Sequence, residues 1–242
     1  MSDRLKTALV TGAGSGMGKA IAQTLADLGL KVALIGRERG KLEATRAAIG
    51  ADRCLVETCD VADRAAVGSM VKRVATELGS IDVLICNAGV NVTKRGLDVL
   101  EPSDWDQMIA VNLTGAFNLV HFVLPSMRAQ KNGLVVQICS ISGLRVSLLG
   151  GVGYSASKFG QAALGMGIGR EDASRGIRST VIYPGEVNTP ILDRRPVPVG
   201  AERRAAILQP EDVALAVRFL VELDPRARVP ELVITPTVDD FA

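Results

Sequence analysis

What most constrains this chain is a repeated alternation. Short apolar runs, several of them closed by glycine or a small polar residue, are separated by segments of helical periodicity. The runs fall at 7–11, 31–36, 53–58, 81–86, 133–139, 176–183 and 231–235. A continuous apolar run of this length suits a strand buried on both faces, and strands that alternate with helices pair in parallel. The expectation is an α/β protein with a doubly wound parallel sheet of about seven strands flanked by helices. With 242 residues, 48% of them hydrophobic, the chain can bury one large core, and no repeat or linker divides it, so residues 1–242 read as a single domain.

The first run ends in Gly12, Gly14, Gly16 and Gly18, and a helix follows through Ile21 and Leu25. Strand, glycine loop and helix direct backbone N–H groups and a helix N-terminus at a phosphate, the Rossmann arrangement. Met17 stands where the GxGxxG spacing asks for its third glycine. After the second run come Gly36, Arg37 and Glu38, at the position where a dinucleotide site meets the adenosine ribose. An arginine there suits a 2′-phosphate, which favours NADP(H) over NAD(H), while Glu38 is the rival that would reach a ribose 2′-OH. Asp60, before Val61, would either hydrogen-bond an adenine amino group or cap its own turn. Asn87, Ala88 and Gly89 close the fourth run: the small residues let backbone approach a flat ligand, and Asn87 would tie the loop to a neighbouring strand.

Residues 91–102 read as loop. A long helix is expected from Ser103, as N-cap, to about residue 129, carrying Asn112 in an apolar turn and His121 among packed apolar neighbours. Asn112 is notable because a buried amide needs partners. Ser140 and Ser142 stand at the end of the fifth run, where open α/β sheets bind ligands. On the next helix Tyr154 and Lys158 are four residues apart and share a face. A lysine charge beside the tyrosine hydroxyl lowers its pKa from ~10 and makes it a general acid/base. Glycines at 160, 165, 167 and 169 in that helix imply close packing against the 103–129 helix or against a second subunit. Residues 187–209, rich in proline and arginine, read as a substrate lid or a surface excursion.

Other classes fit less well. The net charge of +2 gives no reason to expect nucleic acid or a membrane surface. No GxSxG elbow or GxxxxGK[ST] loop occurs. Cys54, Cys59, Cys86 and Cys139 show no metal spacing and there is one histidine, so no metal is expected. Ser2, Asp3, Arg4 and Lys6 are unlike a signal peptide, and no apolar run approaches the ~20 residues of a membrane span, which points to a cytoplasmic protein.

Taken in order, these motifs resemble the classical short-chain dehydrogenase/reductase family over about residues 5–190. The resemblance implies an oxidoreductase that transfers hydride between NADP(H) and a carbonyl or alcohol substrate. It implies a catalytic set of Asn112, Ser140, Tyr154 and Lys158, in which Tyr154 is the acid/base, Ser140 orients the substrate oxygen, Lys158 also binds the nicotinamide ribose and Asn112 holds a water. Cofactor contacts would come from Gly12, Ser15, Gly16, Met17, Gly18, Arg37, Asp60, Val61, Asn87, Ala88, Gly89, Tyr154, Lys158, Pro184, Gly185, Val187 and Thr189. Members of the family are often homodimers or homotetramers. This chain departs from it in lacking a Val-Asp-Gly-Gly segment after the last strand. The alternative is a dinucleotide-binding regulator without catalysis, which would need the glycine loop but no Tyr154/Lys158 pair.

Overall fold

Seven strands form one parallel sheet in the order β3-β2-β1-β4-β5-β6-β7. They are β1 (Thr7–Thr11), β2 (Lys31–Gly36), β3 (Cys54–Thr58), β4 (Val83–Cys86), β5 (Gly133–Ile138), β6 (Ile177–Pro184) and β7 (Glu231–Ile234). The helices are α1 (Gly16–Asp27), α2 (Arg39–Ile49), α3 (Arg64–Leu78), α4 (Pro102–Met108), α5 (Gly115–Gln130), α6 (Val152–Glu171), α7 (Ala201–Ala206) and α8 (Pro210–Glu222). This computed structural model describes residues 5–239; Ser2, Asp3 and Arg4, whose polarity argues against a signal peptide, lie outside the described residues.

Every residue of β1, β4, β5 and β6 is buried, which is why those runs are apolar without alternation. Successive side chains still go to opposite faces. Val10, Leu34 and Val136 meet Ile21, Leu25, Leu42, Val213 and Val217 from α1, α2 and α8. Leu9, Ile35 and Val135 meet Met70, Val74, Leu119 and Val123 from α3 and α5. The chain direction across the sheet reverses between β1 and β4, so the loops after these two strands diverge and leave a crevice at their C-terminal ends.

The long helix differs from expectation at three points. It begins at Pro102, with Glu101 in the N-cap position, so Ser103 lies inside the first turn and caps nothing; proline suits that first position because it lacks the N–H a helix start cannot use. From Ile109 to Thr114 it widens to a π segment, in which the Gly115 N–H reaches back to Ala110 O. His121 is exposed, stacked on Phe117 at 5.9 Å between ring centroids, because the 117/121 stripe faces away from the sheet. The 29 residues of continuous helix from 102 to 130 also have the length and apolarity of a membrane span. Their apolar side chains Leu119, Val123 and Met127 are instead packed into the core.

Two of the α6 glycines face the sheet. A Cβ at Gly165 would lie 2.5 Å from Val181 Cγ2, and Gly169 faces Ser179. Gly160 packs on the long helix, where a Cβ would lie 2.7 Å from Leu113 Cδ2, as does Gly153, where one would lie 2.5 Å from Met108 Cε; Gly167 meets nothing within 4 Å.

Candidate active site

The crevice is built around Thr11. Its Oγ1 donates to Ile85 O at 3.1 Å and accepts from the Asn87 and Ala88 N–H groups, both at 3.0 Å. Asn87 Nδ2 donates to Thr11 O at 2.8 Å, so the ends of β1 and β4 are clamped together. Gly12 takes φ +66°, and a side chain there would strike Asn87 Nδ2 at 2.8 Å. A Cβ at Gly18 would lie 2.3 Å from Gly12 O. The close helix-to-loop packing expected of a third glycine is thus supplied one residue late, by Gly18, and this frees Met17 to line the cleft.

That cleft encloses about 260 Å³. Gly12, Ser15, Gly16 and Met17 form one wall, Asn87, Ala88 and Gly89 another, and Tyr154, Lys158 and Thr189 the end. Arg37 also lines it, whereas Glu38 is paired with Lys41 at 2.7 Å. Pro184, Gly185 and Val187 line an adjoining cavity of about 430 Å³, which shares Tyr154 and Thr189 with the cleft and is also bounded by Ser140. Asp60 and Val61 are not in either lining. Asp60 Oδ1 accepts from Ala62 N at 3.0 Å and closes its own turn, and Val61 packs against Gly115.

Tyr154 and Lys158 sit on the first turns of α6, which starts after Gly151 at φ +78°. Ser140, just beyond β5, accepts from Ser142 N at 3.1 Å and stands close enough to the Tyr154 hydroxyl to influence its ionisation. Ser142 is buried beside Gly150. Asn112 is fully buried in the π segment. Its Oδ1 accepts from Val90 N at 2.7 Å, and its Nδ2 donates to Val90 O at 3.0 Å and to Ser157 Oγ at 2.9 Å. The amide therefore joins the loop after β4 to α6.

The Tyr154–Lys158 electrostatics depart from expectation. Lys158 Nζ is 5.7 Å from the Tyr154 ring centroid and donates to Ile138 O at 3.0 Å and to Gln161 Oε1 at 2.7 Å. Burial pushes the Tyr154 pKa up, with Cys139 adding to the rise; the nearby Ser140 hydroxyl and the Arg95 charge oppose it. Burial also pulls the Lys158 pKa down. In this arrangement the influences that favour tyrosinate are Ser140 and Arg95, because Lys158 is drawn back toward the sheet.

A family model for short chain dehydrogenases matches residues 6–197. The chain belongs to the short-chain dehydrogenase family. An uncharacterized oxidoreductase of Staphylococcus saprophyticus is 35% identical over 96% of this chain and 97% of its own. Among solved structures, a closed serine dehydrogenase complexed with NADP+ superposes with a TM-score of 0.90 at 28% identity, covering 98% of this chain and 97% of that one. An alcohol dehydrogenase of Thermococcus sibiricus, complexed with 5-hydroxy-NADP, gives 0.87 at 29% identity over 97% and 98%.

A short-chain dehydrogenase of this fold binds a nicotinamide dinucleotide, and the donor set here fits one. The cleft offers the N-terminus of α1 and two guanidinium groups, Arg37 and Arg194. Among the described residues neither has a carboxylate within ion-pair distance. Sequence reading placed Arg194 only within the 187–209 segment, and missed Arg95 and the buried Gln161. Only Gln161 had a local signal: a polar residue three beyond Lys158 on a helix face that turns inward. Its Nε2 continues the chain of hydrogen bonds to Cys86 O at 3.2 Å and Gln137 Oε1 at 3.1 Å.

Proposed function

We propose that this short-chain dehydrogenase is an NADP(H)-dependent ketone reductase or secondary alcohol dehydrogenase, with Tyr154 as its general acid/base. The observation that carries the reading is the junction of the two cavities at Tyr154, which gives one hydroxyl access to both a dinucleotide cleft and a substrate chamber. NADP(H), when bound, supplies or accepts the hydride.

The protein's own groups do the rest. In the reductive direction Tyr154 gives its proton to the carbonyl oxygen, and in the oxidative direction it takes the alcohol proton. Ser140, beside Tyr154 on the chamber wall, turns its one hydroxyl hydrogen to the same oxygen and fixes its position. Lys158 holds the nicotinamide ribose, and its charge near the Tyr154 ring favours tyrosinate once Nζ leaves Gln161. Asn112 fixes the loop and helix on either side, and its Oδ1 retains acceptor capacity for a water in the proton path. The phosphates fall to the loop from Gly12 to Gly18, the 2′-phosphate to Arg37, and the nicotinamide to Pro184, Gly185, Val187 and Thr189. NADP in two structural neighbours supports the choice of cofactor.

Residues 187–209 act as the lid. The segment is closed at its base by pairing between Val187 and Leu208 and carries its own Arg204–Asp193 ion pair, which hold it together over the chamber. Four buried, unpaired cysteine thiols suit a reducing cytoplasm.

The test is Tyr154→Phe, assayed by nicotinamide absorbance across a panel of ketones and secondary alcohols. Removal of a general acid/base should cost ~100-fold or more in kcat with cofactor affinity kept. Near-normal turnover in that variant would remove Tyr154 from the mechanism.

A further inference from the structure

The chamber of about 430 Å³ beside Tyr154 and Ser140 carries more basic than acidic side chains. Three arginines border it, Arg95, Arg195 and Arg203, against two carboxylates, Glu186 and Asp239. Both carboxylates are already engaged. Glu186 lies 2.6 Å from Arg195 Nη1 and 2.6 Å from Arg203 Nη2, and Asp239 lies 2.5 Å from Arg203. Among the described residues no carboxylate is within ion-pair distance of Arg95.

Arg95 is nonetheless held firmly. Its Nε donates to Val92 O at 2.5 Å, one Nη to Leu149 O at 2.5 Å and the other to Arg194 O at 3.0 Å. Gly151, at positive φ, lies so close that a Cβ would come within 2.7 Å of Arg95 Cβ. These contacts pin the guanidinium from three loops but supply no counter-charge. A partly buried cation without one is costly, and here the neighbouring Arg195 adds repulsion to the burial. Main-chain carbonyls alone could be bridged by a neutral donor. A full positive charge, fixed in place with no carboxylate at ion-pair distance among the described residues, in a chamber shared with Tyr154, suits an anion that arrives with the substrate.

We propose that the substrate is a carboxylate-bearing ketone or hydroxy acid, whose carboxylate docks on the Arg95 guanidinium while its carbonyl or hydroxyl oxygen meets Tyr154 and Ser140. This rests on the oxidoreductase reading above. Arginine is the side chain best matched to a carboxylate, through paired N–H donors, and its fixed position would select acids by the distance between carboxylate and carbonyl.

The experiment compares pyruvate, acetoacetate and levulinate with their methyl esters, on the NADP(H)-loaded protein, by calorimetric titration and by turnover. At least one acid should bind ten times more tightly than its ester, and more weakly as salt is raised. Arg95→Met should cut that acid-to-ester ratio at least tenfold, whatever it does to absolute rates, and Arg95→Lys should restore part of it. Equal binding of acids and esters by the wild type, or an Arg95→Met variant that weakens both equally, would overturn the anion site and leave Arg95 as a loop staple. Should Arg95→Met not fold, the wild-type ratio and its salt dependence decide. Turnover of simple ketones and esters without acid preference keeps the oxidoreductase reading and removes this one. Selective acid binding with no turnover of any compound does the reverse.

Discussion

Arg37 and Glu38 are adjacent in sequence, and their surroundings differ. Glu38 is drawn to Lys41 on the first turn of α2, a contact set by helical spacing, while Arg37 borders the cleft with no carboxylate at ion-pair distance among the described residues. A guanidinium at the ribose end should reward a 2′-phosphate. Arg37→Ala is therefore expected to weaken NADP(H) by about 1.5 to 3 kcal/mol, the range for a hydrogen bond to a charged group, and to leave NAD(H) nearly unchanged. Direct titration with both cofactors measures it. A wild-type preference for NAD(H) would return the choice to Glu38. Both options were visible in the sequence; the Glu38–Lys41 pairing that bears on them needs the helix.

Among the elements, α6 carries the largest share of the site and is anchored at both ends. Its first turns present Tyr154 and Lys158, its glycines let it lie against β6, and its C-terminus is held by Asp172. Arg128, near the end of α5, grips that carboxylate through two bonds at 2.8 and 2.7 Å, and Arg175 adds a third at 2.9 Å. The Arg128 hydrogen bonds, with help from Arg175, hold the Asp172 carboxyl below its ordinary value against the opposing effect of burial. A carboxylate with a depressed folded-state pKa stabilises the fold above its ordinary pKa of 3.8. That contribution is lost as pH falls through the lower, folded-state value. Asp172→Asn should thus cost about 1–3 kcal/mol at neutral pH. The gap to wild type in urea unfolding should narrow in strong acid. A gap that stays constant with pH would mean the pair contributes through packing alone.

For the whole molecule, the open question is what covers the outer faces of α5 and α6. Phe117 is 43% exposed, Phe159 41% and Met166 38%, a concentration of large apolar side chains on neighbouring helices. A second patch lies on α8 and β7, with Leu215 59%, Phe219 48% and Val233 44% exposed. We propose a homodimer through the first patch, extended to a homotetramer through the second, since isologous interfaces are built from one patch on each subunit. Phe159→Glu should shift the sedimentation profile toward smaller species at micromolar concentration. A monomeric wild type would rule the assembly out. Because Gly165 packs inward on Val181, a large side chain there should disturb folding rather than assembly.

The sequence by itself determined the layers, the parallel sheet and the positions of Tyr154, Lys158 and the glycine loop. Each of these rests on interactions within a few residues: continuous apolar runs, i to i+4 spacing on a helix, and glycines where backbone must turn or approach closely. The tertiary structure decided what depends on groups distant in the chain. Asn112 finds its partners 22 and 45 residues away, and Lys158 finds one of its partners 20 residues back, at Ile138 O. Arg95 is fixed by carbonyls 54 and 99 residues away, with no motif to mark it. A buried polar group must take whatever partner the packed sheet brings to it. That choice is made by the order of the strands and the loops they carry, which no local pattern encodes.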